Sequence, residues 1–416
     1  MRSCFCIDLK SFYASVECVE RHLDPMTADL VVADPDRGQG TICLAVSVHM
    51  KAQGVKNRCR VFEIPKNLHY IMAKPRMHLY IEYAARIYGI YLKYIAKEDI
   101  HVYSVDEAFF EAGSYIHMYG NDVRILSKML QDEILSELGL YTTCGMGTNL
   151  YLAKIAMDIL AKHSPDRRAY LSEEEYCTKL GSHKPLSDFW MIGHGTERRL
   201  NSIGIFTMED IRNTDSKALE ALIGRNSSFL IDHAYGRDDV TIADIKDYES
   251  PMHSLSSNQV LLRDYSFDEG KLVLKEMVDL LSLDLVDEGL VTDGVTLYVA
   301  YSKDYPPALS IEKKLPSATS SVRILTNDLL ALYMPYVNRD YAIRRIGISF
   351  LHVIPDSLRQ YNLFRDSAIE DKDLPAMRSA NLIRHTYGNN AILKGMNLLP
   401  AGTTIARNSQ IGGHHA

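Results

Sequence analysis

The chain has no Cys-x-x-Cys spacing, and its seven cysteines, at 4, 6, 18, 43, 59, 144 and 177, are scattered and odd in number. That excludes a disulfide framework and a thiolate zinc site, and leaves the cysteines as small apolar fillers. No apolar run approaches the roughly 20 residues needed to span a bilayer, so no membrane contact is expected. The opening "MRSCFCIDLKSF" meets an acid after a handful of apolar residues, unlike a signal peptide, and a cytoplasmic protein is expected. Tandem repeats and low-complexity tracts are missing as well. So is an excess of positive charge: 46 Lys+Arg against 53 Asp+Glu give a net charge of −7. A phosphate backbone is normally met by a basic face, so any nucleic-acid contact must use a local groove.

What is present is material for several cores, with 416 residues of which 46% are apolar, and two to four domains are expected. Strand and helix signals alternate at first. "SCFCIDL" reads as a strand, and "SFYASVECVERH" as a helix with Phe12, Val16 and Val19 at helical spacing and Ser11 as its cap. "DLVVAD" and "TICLAVSV" are strands around the turn-rich "DPDRGQG". Residues 76–97 read as a long helix with Ile81, Ala84, Ala85, Tyr88 and Leu92 on one face. "IHVYSV" and "AFFEA" form a hairpin, 122–138 a helix, "YTTCGMG" a strand and "NLYLAKIAMDILAKH" a further helix. The order is β-α-β-β-α-β with insertions, a split βαβ or ferredoxin-like sheet in an α/β (α+β) multidomain protein. Short helices broken by "IGHGT", "IGIF" and "LIGRN" follow over 181–241, then a polar linker at 242–252. Residues 253–353 resume strand and helix alternation, and 354–416 read as a tail.

The acids are the informative residues. Asp8 ends an apolar strand, and Asp106 and Glu107 stand together at the turn of an apolar hairpin. In a split βαβ sheet these strands are neighbours, so the three carboxylates can converge. Adjacent carboxylates resist desolvation and call for a cation, and hard Mg²⁺ suits an all-oxygen set. A capping Asp8 beside an unrelated solvated turn is the other reading of the same residues.

"CIDLKSFYASVE" and "VYSVDEAF" closely resemble the two signature motifs of Y-family DNA polymerases, the low-fidelity translesion enzymes, in their UmuC-like bacterial branch. The resemblance covers roughly residues 1–353 and implies a right-hand fold. Palm would occupy 1–28 and 76–180, fingers 29–75, a helical thumb 181–241 and a little finger 253–353. It implies that Asp8 and Asp106 bridge two Mg²⁺ ions (Mn²⁺ able to substitute), that Glu107 serves the primer side, and that the Leu9 carbonyl completes the nucleotide side. Tyr13 matches the steric gate against ribonucleotides, with Phe12 lining the same floor. Where many relatives carry Tyr-x-x-Arg against the triphosphate, this chain has Val48 and Lys51, with Ser47 a substitute hydroxyl. Lys162 is the candidate for the β- and γ-phosphates and Lys154 the alternative, because "DILAKH" carries one residue more than many relatives. Ile42 and Leu44 fall where the family covers the nascent base pair.

"LSDFWMIGHGTERRLNSIGI" has the form of a helix-hairpin-helix. Gly193 and Gly195 permit a turn whose amides can meet a phosphate, Arg198 and Arg199 add charge, and Leu200, Ile203 and Ile205 pack beneath. In the little finger, Arg344 and Arg345 are candidate backbone contacts, although 251–353 hold ten Lys+Arg against thirteen Asp+Glu. "QYNLF" has the Q-x-x-L-F form by which bacterial polymerases dock on the sliding clamp, through Gln360, Leu363 and Phe364. Primer-template DNA, dNTPs and the sliding clamp are the expected partners, and a need for an accessory subunit stays open. A non-catalytic DNA-binding accessory protein that recruits or blocks polymerases at the clamp is the alternative, and another palm-fold enzyme such as a nucleotidyl cyclase a third.

Overall fold

In the computed structural model the apolar run "CFCIDL" forms strand β1 (Cys4–Leu9), followed at once by helix α1 (Phe12–Val19). The structure describes residues 2–250, 254–302, 307–360 and 368–415, and divides into two units between Tyr248 and Glu249. Beyond α1, strands β2 (Leu30–Val32), β3 (Ala45–Val46) and β4 (Ile71–Ala73) make a small sheet in the order β3-β2-β4, with the short helix α2 (Val48–Ala52) beside it. Val31, Cys43, Val46, Met50 and Val61 are among its core residues.

The main sheet of the first unit adds β5 (Ile100–Val102), β6 (Glu107–Glu111), β7 (Thr142–Gly147) and β8 (Arg168–Leu171), in the order β5-β6-β1-β7-β8. Helices α3 (Met77–Tyr91), α4 (Val123–Leu138) and α5 (Leu150–Ile155) interleave with these strands. β1 lies antiparallel between β6 and β7, which is the split βαβ arrangement with β8 added at an edge. Strand alternation separates the faces: Cys4, Cys6 and Phe109 pack with Leu150 and Ala153 of α5, while Phe110 meets Tyr91 of α3 with ring centroids 4.7 Å apart. A Cβ on Gly145 would stand 2.1 Å from the carbonyl oxygen of Ala153, so glycine there lets α5 press backbone to backbone on β7.

Three features differ from the sequence reading. Helix α3 buries Met77, Tyr80, Tyr83, Ile87, Ile90 and Tyr91, whereas Ile81 and Leu92, on the expected inner face, are exposed. The helix carries apolar residues around most of its circumference, and its tyrosines, which can bury a ring while bonding a hydroxyl, face inward. The expected linker contains helix α11 (Ile242–Asp247), started by a capping box between Thr241 and Asp244 and anchored by buried Ile242 beside Cys4 and Phe109. Before it, α6 (Glu173–Leu180), α7 (His194–Asn201), α8 (Met208–Arg212), α9 (Ser216–Ile223) and α10 (Ser227–Ala234) enclose a core that includes Tyr176, Phe189, Leu200, Met208 and Leu219.

The second unit has β9 (Leu255–Tyr265), α12 (Phe267–Asp287), β10 (Leu290–Tyr301), β11 (Leu309–Thr319), α13 (Val322–Tyr336) and β12 (Ile343–Leu351). Its sheet order is β11-β10-β12-β9. Residues of α12 and α13 share one core with the inward side chains of the strands, while Asn258, Val260, Glu312, Lys314 and Arg345 are exposed on the other face. The third difference is the tail: α14 (Ala368–Tyr387) and α15 (Thr404–Asn408) are part of this unit. Glu276 of α12, 1% exposed, accepts hydrogen bonds from Asn397 Nδ2 at 2.9 Å and the Thr403 amide at 2.7 Å. That attachment is largely polar, which is why hydropathy reads the segment as a tail. All seven cysteines are unpaired and six are buried. Among the described residues no helix is long and apolar enough to cross a membrane.

Candidate active site

Asp8 is the Cα partner of Glu107 across β1 and β6, and of Thr143 across β1 and β7. Antiparallel partners project from the same face, and Asp8 is in step with Cys4 and Cys6, so this face is the one that α5 covers. Asp106 closes the hairpin loop just before β6. Its carbonyl accepts the Leu9 amide at 2.9 Å and its carboxylate the Ser104 hydroxyl at 2.7 Å. The three sequence-derived acids are therefore neighbours at one sheet end, although Glu107 belongs to the strand and not to the turn.

Lysines supply the opposing charge. Lys154, 8% exposed, lies with Nζ 2.7 Å from Glu107 Oε1 and 3.0 Å from Asp158 Oδ2. Lys162 Nζ is 2.6 Å from Asp158 Oδ1. Lys51 donates to the Ser11 hydroxyl at 2.8 Å, so Ser11, expected to cap α1, holds a lysine instead. Lys10 is also close, its ammonium pushed down by half-burial and by Arg167 beside it. Even so, burial pushes the Asp8 carboxyl up to about 7; Lys162 opposes the shift, Asp106 and Glu107 add to it, and Lys154 opposes it.

The fit of a hard divalent cation can be judged from these groups. The donors are carboxylate oxygens with a backbone carbonyl close by, and the buried hydroxyl of Thr143, across from Asp8, has no hydrogen-bond partner among the described residues. Donor type and local charge suit such an ion. As the side chains stand, no group of three or more acids, histidines or cysteines among the described residues is arranged to hold a metal ion. Lys154 and Ser104 engage Glu107 and Asp106 instead.

Next to the acids, the half-buried Tyr13 ring stacks on Tyr80 of α3 at 4.5 Å between centroids. The Tyr80 hydroxyl donates to Glu17 Oε1 at 2.8 Å, and Glu17, fully buried, accepts Arg76 at 2.9 and 2.8 Å and is also paired with Arg21. Sequence reasoning did not single out Tyr80, Glu17, Arg76, Lys10 or Asp158. The available signal was Glu17 itself, an acid one helical turn after Tyr13 on an otherwise apolar helix. Two expectations are corrected. Phe12 is 3% exposed, so it backs Tyr13 from within the core and does not line an open floor. Ser47 is buried, and its hydroxyl accepts the Leu30 amide at 3.2 Å, which withdraws it from any triphosphate. Ile42 is exposed.

In the helical part, the segment expected to form a helix-hairpin-helix has only a 3₁₀ turn, Leu186–Asp188, as its first helix. Gly193 caps α7 with φ −83°, and a Cβ on Gly193 or Gly195 would meet nothing within 4 Å, so neither glycine answers a packing need. Both are exposed, as is Arg198, whose Nε donates to the His194 carbonyl at 3.3 Å. Leu200 and Ile205 pack inside as expected, but Ile203 is exposed, because the chain turns out of α7 before it. In the second unit Arg344 lies 3.7 Å from Asp264, and Arg345 sits over the Tyr298 ring at 5.4 Å on the helix-free face. Gln360 is exposed; Leu363 and Phe364 lie outside the described residues.

Residues 7–158 match the impB/mucB/samB family model, and residues 252–363 that of the family's C-terminal domain. The chain is 30% identical to the "Putative UV-damage repair protein UvrX" of Bacillus subtilis (strain 168), over 99% of this chain and 97% of that one. It is 28% identical to "DNA polymerase IV 2" of the same organism, over 99% and 98%. Among solved structures it is similar to the Y-family DNA polymerase chimera Dbh-Dpo4(243-245)-Dbh, with a TM-score of 0.66 and 21% identity over 85% of this chain and 99% of that one. That likeness speaks for the fold.

Proposed function

The chain belongs to the impB/mucB/samB family, the Y-family DNA polymerases, and from that membership we propose that it copies DNA past damaged bases, joining dNTPs to a primer 3′-hydroxyl with release of pyrophosphate. The observation that carries this reading is the register that sets Asp8 opposite Glu107 with Asp106 bonded to Leu9, all beside a group of lysines.

Asp8 and Asp106 would bridge two divalent cations, with the Leu9 carbonyl on the nucleotide side and Glu107 on the primer side; Mg²⁺ fits the all-oxygen donors and Mn²⁺ can substitute. When bound, such ions supply Lewis-acid stabilisation of the attacking and leaving oxygens. Lys154 orients Glu107 through their 2.7 Å contact, part of which a bound cation would take over. Lys51 and Lys162 provide point charges for the triphosphate, with Lys51 held ready on Ser11. Tyr13, braced from behind by Tyr80, presents a flat ring that a ribose 2′-hydroxyl would strike. The amides at Gly193 and Gly195, with Arg198, Arg344 and Arg345, are the backbone contacts, which position DNA without reading its sequence. Gln360, Leu363 and Phe364 would dock on the bacterial sliding clamp.

Primer extension on undamaged and damaged templates tests the reading. The chain is expected to extend primers only with a divalent cation. Absence of incorporation under conditions where a related polymerase works would overturn it.

A further inference from the structure

The segment that carries Lys154 and Lys162 changes its helical pitch between them. It is α-helical through Ile155, π-helical over Ala156–Leu160 and a 3₁₀ turn over Ala161–His163. In a continuous α-helix, residues eight apart point about 80° away from each other. A π-turn, whose hydrogen bonds reach one residue further, advances less per residue and takes up an extra residue within the helix. The result is that Lys154, Asp158 and Lys162 share one side, with the two oxygens of Asp158 divided between the lysines at 3.0 and 2.6 Å. Each lysine then serves a different acid: Lys154 contacts Glu107 at 2.7 Å, and the charge of Lys162 acts on Asp8.

Exposed pairs four apart on a helix contribute little. This pair is different, because Lys154 is 8% exposed and Asp158 22%. A buried ammonium deprived of one carboxylate would turn wholly to the other. Lys162, 40% exposed, would be free to leave the site.

We propose that Asp158 is a positioning residue for nucleotidyl transfer. It holds Lys162 beside the acids until a triphosphate takes the lysine over, and it shares Lys154 so that this lysine is not committed wholly to Glu107, which stays able to accept a cation. This rests on the functional reading above. It adds that the π-turn aligns the nucleotide-side and primer-side charges through one carboxylate.

The test uses Asp158→Asn, which keeps shape and removes charge, with Asp158→Glu as the conservative variant. With the full chain on primer-template DNA, Asp158→Asn should raise KM for the incoming nucleotide about five- to tenfold and leave kcat within about twofold, as loss of one charge-assisted contact would. It should also raise the divalent-cation concentration giving half-maximal rate, and Asp158→Glu should restore most of the loss. In a Lys162→Met background, Asp158→Asn should add little to KM. A readout independent of turnover is the rate at which an acylating reagent labels Lys162 in the chain without DNA, measured by peptide mass spectrometry. That rate should rise severalfold in Asp158→Asn. Equal KM losses with and without Lys162, a fall in kcat alone, or an unchanged labelling rate would each overturn the proposal. If the parent chain fails to extend any primer, the functional reading falls, and the labelling comparison still decides whether Asp158 holds Lys162.

Discussion

The two sheets of this protein are built from the same succession of elements and yet are different objects. In the first unit the strands β1, β5, β6 and β7 assemble with the first strand inside, between β6 and β7. In the second, β9, β10, β11 and β12 assemble with the first strand at an edge and the last inside. The inner strand decides what the sheet can do. β1 carries Asp8 next to its last residue, beside a hairpin that brings Asp106 and Glu107, and helices cover both faces there. β12 turns Arg345, Gly347 and Ser349 to a face that no helix covers among the described residues. One arrangement concentrates charge under cover, and the other leaves a polar surface open.

The largest expected effect breaks the comparison at its chemistry. Asp106→Ala should lower primer extension by about a thousandfold or more while the chain stays folded, since on the proposed function Asp106 would help to hold both cations. If the variant keeps more than a tenth of the parent rate, the assignment is wrong.

Next comes stability. With its carboxyl raised from 3.8 to about 7, folded Asp8 keeps a proton that the unfolded chain has already released between those values. Folding is therefore penalised increasingly as pH rises from about 4 to 7, by up to about 4 kcal/mol above that range. Without divalent cations, Asp8→Asn should raise the melting temperature at pH 8 and leave it unchanged near pH 4. Equal shifts at both pH values would refute desolvation of the Asp8 carboxylate as the cause.

The glycines of the two sheets separate them further. Gly145→Ala should destabilise by about 3 kcal/mol or more, since the new methyl meets the backbone of α5. At Gly347 the obstacle is the Asn258 side chain, 2.2 Å away, which can rotate, so Gly347→Ala should cost under about 1 kcal/mol. Denaturant titration measures both.

Smaller effects sharpen the surfaces. Tyr80→Leu should loosen the Tyr13 ring and relax sugar discrimination by about threefold to tenfold, as lost stacking would. Tyr13→Ala should exceed it, in competing dNTP and rNTP incorporation. Arg345→Ala should weaken DNA binding about twofold to threefold and reduce the salt slope by about one, with kcat unchanged.

How far the sequence went can be judged from particular residues. Asp8, Asp106 and Glu107 were legible because acids inside apolar strands are costly, and a split βαβ order makes their strands adjacent. The order of the second sheet was not legible, since one linear succession of elements is compatible with both arrangements. Tyr80 was hidden by α3, whose apolar residues on several sides allowed two inner faces; the hydroxyl bond to Glu17 chooses between them. The additional residue before Lys162 reads in the sequence as an uncertainty of register and is in the structure a π-turn. Ser47 has the chemistry of a phosphate contact, and only its burial against the Leu30 amide removes it from that role.

The attachment of the last residues to Glu276 has a practical consequence. Clipping the chain just after 364 to isolate the stretch at 360–364 would strip Glu276 of α12 of its Asn397 and Thr403 donors and uncover the apolar contacts of Leu283 and Val286 with Met377. Such a shortened protein should aggregate or melt early, so its response to a sliding clamp would say nothing about the proposed docking. Single substitutions at Gln360, Leu363 and Phe364 leave that attachment in place and test the proposed docking by itself.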